Sequence, residues 1–139
     1  MIETILMCLL MQTPTPSDMT EYISCKRVEE KVQHVVEWHD VIAEYFEPED
    51  VLQAMLVVFC ESSGKPNAVG VNTNGTSDVG LWQFNDDTWA WLTPKLNIKV
   101  SRSNPIVSTR IASWLVYNDG WHHWNYSKGC WNEEYIFRP

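Results

Sequence analysis

Residues 61–85 read ESSGKPNAVGVNTNGTSDVGLWQFN. The stretch holds two acidic side chains, Glu61 and Asp78, seventeen positions apart. Glu61 follows the apolar run Val51–Cys60, whereas Asp78 sits among Asn, Gly, Thr and Ser. A carboxyl at the C-terminal end of an apolar helix is poorly solvated and meets the negative end of the helix dipole, so its pKa rises. A carboxyl among amide and hydroxyl donors is held as an anion. Two carboxyls pushed apart in this way form a proton donor and a nucleophile or charge stabiliser, the pair that glycoside cleavage requires.

The flanking sequence supplies a scaffold for that pair. Val51–Glu61 is apolar on almost every side and predicts a buried central helix, preceded by Pro48 with acids suited to a first turn and ended by Gly64 and Pro66. Asn67–Asn85 is rich in turn residues, with a little strand character at Val79, Leu81 and Phe84, and predicts a small hairpin lobe. Upstream, apolar residues between Asp18 and Phe46 recur every three or four positions, as in one long or two shorter amphipathic helices. Downstream, a short helix is expected over Asp86–Leu96, with Asp86 and Asp87 as cap and first-turn charges. A further helix runs from Asn104-Pro105 to Gly120, with Trp114 as core. The aromatic segment WHHWNYSKGCW (121–131) closes the domain.

The chain has 139 residues and a formal net charge of -8. The length favours one domain, and the charge argues against nucleic acid as a partner. No apolar run reaches the length of a membrane span. Segment 5–11, ILMCLLM, followed by TPTPS, reads as a tail, a linker or a short signal segment. Glu3, however, occupies the place of a positive n-region. Residues 1–17 are therefore set apart from a domain over 18–139. Cys8, Cys25, Cys60 and Cys130 show no metal-like spacing and leave bridges and free thiols equally open. Eight Trp suit both a core and stacking on flat ligands, with Trp82, Trp89 and Trp91 as cleft candidates. His122-His123 lacks an evident third ligand, so no metal is expected, and no cofactor is needed. Asn74-Gly75-Thr76 and Asn125-Tyr126-Ser127 match the glycosylation sequon.

Residues 61–85 resemble the catalytic segment of the lysozyme-like superfamily. Against c-type lysozymes, whose hairpin reads like NTDGSTDYGILQIN after a helix-ending ES, the segment aligns without a gap. Against the soluble lytic transglycosylases, Glu61-Ser62, Lys65-Pro66-Asn67-Ala68, Gly80–Asn85 and Tyr117-Asn118-Asp119-Gly120 resemble the motifs ES..NPNA, GLMQIN and YN.G. The resemblance spans about sixty residues, in family order, and the first sixty add little to it.

It implies an α+β, mostly helical lysozyme-like fold with a small β-hairpin lobe beside a substrate cleft. It also implies a monomer acting on peptidoglycan glycan strands outside the cytoplasm or on a virion; the acidic balance and the lack of the c-type cysteine framework point to a bacterial or phage relative rather than an animal lysozyme. Glu61 takes the place of the general acid and Asp78 that of the second carboxylate. Ser62, Gln83, Asn85, Trp89, Tyr117 and Trp121 fall at substrate-binding or acid-flanking positions: Tyr117 reaching toward the glutamate, Trp121 packing near it. The implied activity is hydrolysis as a muramidase. The alternatives are a lytic transglycosylase that uses Glu61 alone and an inactive sugar-binding or virion module. The c-type cysteine framework is absent, and a Cys60–Cys130 bridge is conceivable.

Overall fold

The computed structural model of the chain describes residues 19–132. The apolar segment 5–11, the TPTPS linker and the proposed boundary at 17/18 lie outside those residues. The helical pattern upstream resolves into two helices, α1 (Met19–Val36) and α2 (His39–Tyr45). A 3-10 turn at Pro48–Asp50 leads into the central helix α3 (Val51–Ser62). The lobe is a three-stranded antiparallel sheet, β1 (Val69–Val71), β2 (Ser77–Val79) and β3 (Phe84–Asn85), in the order β1-β2-β3. Helices α4 (Asp86–Lys95) and α5 (Pro105–Asp119) follow, then a 3-10 segment at Trp121–Ser127 and the short α6 (Lys128–Trp131). The class is α+β and mostly helical, as expected. No helix among the described residues is long and apolar enough to cross a membrane.

Helix α3 packs against α1, α2 and α6, which explains its near-continuous apolar text. Ala54, Leu56, Val57 and Val58 are buried. Each large aliphatic side chain removed from water in this way stabilises the fold by about 1.5–3 kcal/mol. The helix stops because Ser63 and Gly64 turn left-handed at φ 54 and φ 76. Gly64 is needed there for a second reason: a Cβ on it would lie 2.6 Å from the His34 carbonyl carbon of α1. The indole of Trp38 closes the same junction by donating to the Gly64 carbonyl at 2.8 Å.

Local capping sets the later helices. The cap of α4 is Asn85, whose side chain accepts from Asp87 N–H, and not Asp86, which is a first-turn residue whose carboxylate goes to Ser77 and Arg102; Asn104 accepts from Ile106 and Val107 N–H at the start of α5, with Pro105 in its first turn. Most of the tryptophans belong to the interior. Trp82 is fully buried, donates to Thr109 Oγ1 at 3.0 Å, and meets Phe46 and Trp124 ring to ring at 5.5 and 5.4 Å. It is a core residue and not the cleft residue that its turn-rich surroundings suggested. Trp91 is half exposed, with Lys95 Nζ 5.3 Å above its ring. Trp114 is partly buried against the core.

The cysteine question is settled for one pair. Cys60 and Cys130 are joined, with Cα atoms 6.0 Å apart across 70 positions. The bridge ties the end of α3 to α6. Glu61 follows one of its cysteines and Ser127 lies three residues before the other.

Candidate active site

A cleft of about 780 Å³ lies between the sheet lobe and the 121–131 segment. Its walls include Glu61, Val71, Asn72, Asn74, Thr76, Asp78, Gln83, Phe84, Asn85, His123, Trp124 and Tyr126. The two carboxyls singled out in the sequence therefore face one space. Its volume is in the range of small-ligand sites.

Glu61 sits on the last turn of α3, half-buried. Its pKa is raised, first by loss of hydration and further by the negative charge of Asp78, while a hydrogen bond from Ser127 opposes the rise. Ser127 Oγ donates to Glu61 Oε1 at 2.5 Å and also lies 3.2 Å from the Trp124 carbonyl. A hydroxyl carries one proton. Donation into Oε1 leaves Oε2 to hold the acid's own proton, and stabilises the carboxylate once that proton has gone. Trp124 forms the apolar wall of this corner: it is 4 % exposed, and its indole donates to the Trp82 carbonyl at 2.9 Å.

Asp78 lies in β2, opposite Gly70 of β1 and Asn85 of β3. Asn85 Nδ2 donates to its Oδ1 at 2.8 Å and to Thr76 Oγ1 at 3.0 Å. Thr76 Oγ1 in turn donates to Asn74 Oδ1 at 2.7 Å. The donor-rich surroundings inferred from the sequence are thus a connected amide and hydroxyl network. A second clamp holds the strands. Arg102 donates to the Phe84 carbonyl at 2.8 Å and to Asp86 at 2.5 Å, and Asp86 also accepts from Ser77 N–H at 2.8 Å. These contacts lower the Asp86 pKa, the Ser77 amide contributing most. Gly80, at φ 93, lets the Arg102 backbone approach where a Cβ would lie 2.4 Å from its carbonyl oxygen.

The remaining candidates divide. Gln83 and Asn85 line the cleft, but their amide nitrogens bind protein: Gln83 Nε2 donates to the Ala68 and Gly80 carbonyls, both at 2.9 Å. Gln83 thus keeps Oε1 for the cleft, while Asn85 positions Asp78. Ser62 is buried, with its hydroxyl returned to the Val58 carbonyl at 3.1 Å, and does not line the cleft. Trp89 packs on Phe84 at 5.4 Å and does not line the cleft. Trp121 packs on Phe46, Trp124 and Trp131 and does not line the cleft, whereas Trp124 lines it together with Glu61.

Tyr117 is also misplaced by the motif reading. Its hydroxyl accepts from Glu47 N–H at 2.8 Å and donates to Asp50 at 2.7 Å. Asp50 marks the opposite end of α3 from Glu61, about 16 Å away along the helix axis.

Ser127 escaped the sequence reading except as a sequon residue. Its side chain gives a testable consequence. Ser127→Ala removes the hydrogen bond that lowers the Glu61 pKa, so the alkaline limb of the pH–rate profile is expected to move to higher pH. The acid-side rate should fall far less than the roughly 10²–10⁴-fold that loss of a general acid costs. A pH–rate profile of both proteins measures this, and an unmoved alkaline limb would remove Ser127 from the site.

A lysozyme-like domain family model matches residues 41–125, a span that includes α3, the sheet lobe, α5 and the wall residues His123 and Trp124. No curated protein and no solved structure gives a match. The matched span covers more than half of the chain and carries both cleft carboxyls, and the chain belongs to the lysozyme-like domain family.

Proposed function

We propose that this protein cleaves the β-1,4 bond between N-acetylmuramic acid and N-acetylglucosamine in peptidoglycan by hydrolysis. The observation that carries the reading is a half-buried Glu61 with a raised pKa, sharing one cleft with Asp78. Glu61 protonates the glycosidic oxygen from Oε2. Asp78 meets the positive charge that develops at the anomeric carbon, as nucleophile or as ion-pair partner. The Glu61 carboxylate, held by Ser127, then takes a proton from the incoming water, and both groups return to their starting states. No step requires a cofactor.

Family membership alone fits a hydrolase or a lytic transglycosylase. Hydrolysis is favoured by the placement of Asp78 in the cleft and by the distance of Tyr117, the transglycosylase-like tyrosine, from Glu61. The site of action is outside the cytoplasm, where walls are met and where a bridge such as Cys60–Cys130 persists.

Mass spectrometry of fragments from purified walls tests the reading. Reducing muramic ends are expected, and Asp78→Asn should lower their release by about 10²–10³-fold, as for loss of a group that stabilises transition-state charge. Anhydro ends released equally by wild type and Asp78→Asn would assign a transglycosylase that works through Glu61 alone. No release by the wild type would leave a binding module.

A further inference from the structure

Helix α5 ends at Asp119, and Gly120, at φ 92, turns the chain into the 3-10 segment. On a continuous helix or strand, neighbouring side chains such as His122 and His123 point different ways. After this turn their rings lie 4.2 Å apart and within 34° of parallel. Both direct Nε2 at one carboxylate oxygen: Asp119 Oδ2 is 2.7 Å from His123 Nε2 and 3.4 Å from His122 Nε2. One donor atom from each of the three residues falls within 4.8 Å of the others. The Asp119 and His122 side chains are about half exposed, whereas that of His123 is 21 % exposed and belongs to the cleft wall.

We propose that Asp119, His122 and His123 form a binding site for a divalent cation of the zinc class at the rim of the cleft. The 2.7 Å contact with Asp119 Oδ2 occupies His123 alone, and His122 Nε2 stands 3.4 Å from the same oxygen, beyond a good hydrogen bond. A cation uses both. Imidazole nitrogen with carboxylate oxygen suits Zn²⁺, Ni²⁺, Cu²⁺ and Co²⁺, whereas Mg²⁺ and Ca²⁺ seek oxygen ligands. Bond lengths of about 2.0–2.2 Å place tetrahedral donors some 3.3 Å apart. The His122–Asp119 separation already meets that spacing, and the His123–Asp119 contact must open by a fraction of an ångström. The proton between Asp119 and His123 leaves Nε2 when the cation arrives, so binding releases it to solvent or to Nδ1. Three protein donors leave a coordination position open beside the cleft.

Calorimetric titration of chelator-treated full-length protein with ZnCl₂ tests it. One equivalent is expected to bind at micromolar concentration and to raise the melting temperature, while MgCl₂ does neither. His122→Ala, His123→Ala and Asp119→Asn should each weaken binding at least tenfold. His34→Ala and His39→Ala, which alter the other two acid-paired histidines, should leave it unchanged. Co²⁺ should give a visible d–d band that His122→Ala lacks. His122 is exposed, so this variant reports on the site even if His123→Ala disturbs the cleft wall, and its unchanged metal-free melt verifies the fold. Absence of saturable Zn²⁺ binding, or binding that survives all three substitutions, overturns the proposal.

Discussion

Glu61→Gln is expected to lower the rate of wall clearing by about 10²–10⁴-fold while raising stability at neutral pH. The rate effect follows from one proton. The amide keeps the size of the carboxyl and still accepts from Ser127 Oγ at the Oε1 position, but it has no acid proton to give to a glycosidic oxygen. The stability effect follows from linkage. Burial, with the charge of Asp78, lifts the Glu61 pKa above its ordinary 4.5. Below that ordinary value both folded and unfolded chains carry the proton and folding bears no penalty. As pH rises through the folded-state pKa, the native protein must ionise Glu61 in the cleft, and stability is lost. Glutamine never ionises. The variant should therefore melt above the wild type at pH 7, and the difference should shrink as pH falls from the folded-state pKa toward the ordinary 4.5 and vanish below it. Turbidity assays and thermal melts at pH 4 and 7 measure both halves. Undiminished clearing would remove Glu61 from the chemistry. A lower melt at pH 7 would mean that the anion is satisfied in the fold and that the acid is not poised as argued.

The parts of this architecture that depend on neighbouring residues were legible in the sequence. The end of α3, the hairpin lobe, the Asn104-Pro105 start of α5 and the Gly120 stop are all local chemistry, and both cleft carboxyls lie on α3 and the lobe. What failed was the choice of face. Trp82 lies two positions after Gly80 in turn-rich text, yet its indole turns inward to Thr109, a contact 27 positions away that periodicity does not encode. Tyr117 falls on the face of α5 that meets Glu47 and Asp50, and motif order says nothing about which end of α3 that face addresses. Asp119 precedes the two histidines by three and four positions, a spacing that brings side chains together on a helix and was a usable signal, although Gly120 interrupts the helix between them. Ser127 depends on a contact spanning 66 positions. The available signal was the cysteine pair: a bridge between Cys60 and Cys130 brings the residues before Cys130 against the acid that follows Cys60.

Loss of that bridge is expected to be the most damaging covalent change for stability. A crosslink spanning 70 positions removes loop entropy from the unfolded chain, worth about 4 kcal/mol in the chain-entropy account. For a domain of this size that is a fall in melting temperature of roughly 15 °C. Reductant acts on every cysteine, so the decisive protein is the paired variant Cys60→Ala with Cys130→Ala. It should melt far below the oxidised wild type. A paired variant that melts with the wild type would show that packing of α3 on α6 and the Trp121–Trp124–Trp131 cluster suffices to hold this corner. The bridge also bears on catalysis. Ser127 reaches Glu61 from the segment that Cys130 anchors, so below its melting temperature the paired variant should carry a displaced alkaline limb in its pH–rate profile, in the same direction as Ser127→Ala. Such a shared displacement, with native-like circular dichroism, would tie the crosslink to the poise of the acid, while a profile identical to the wild type's would confine it to stability.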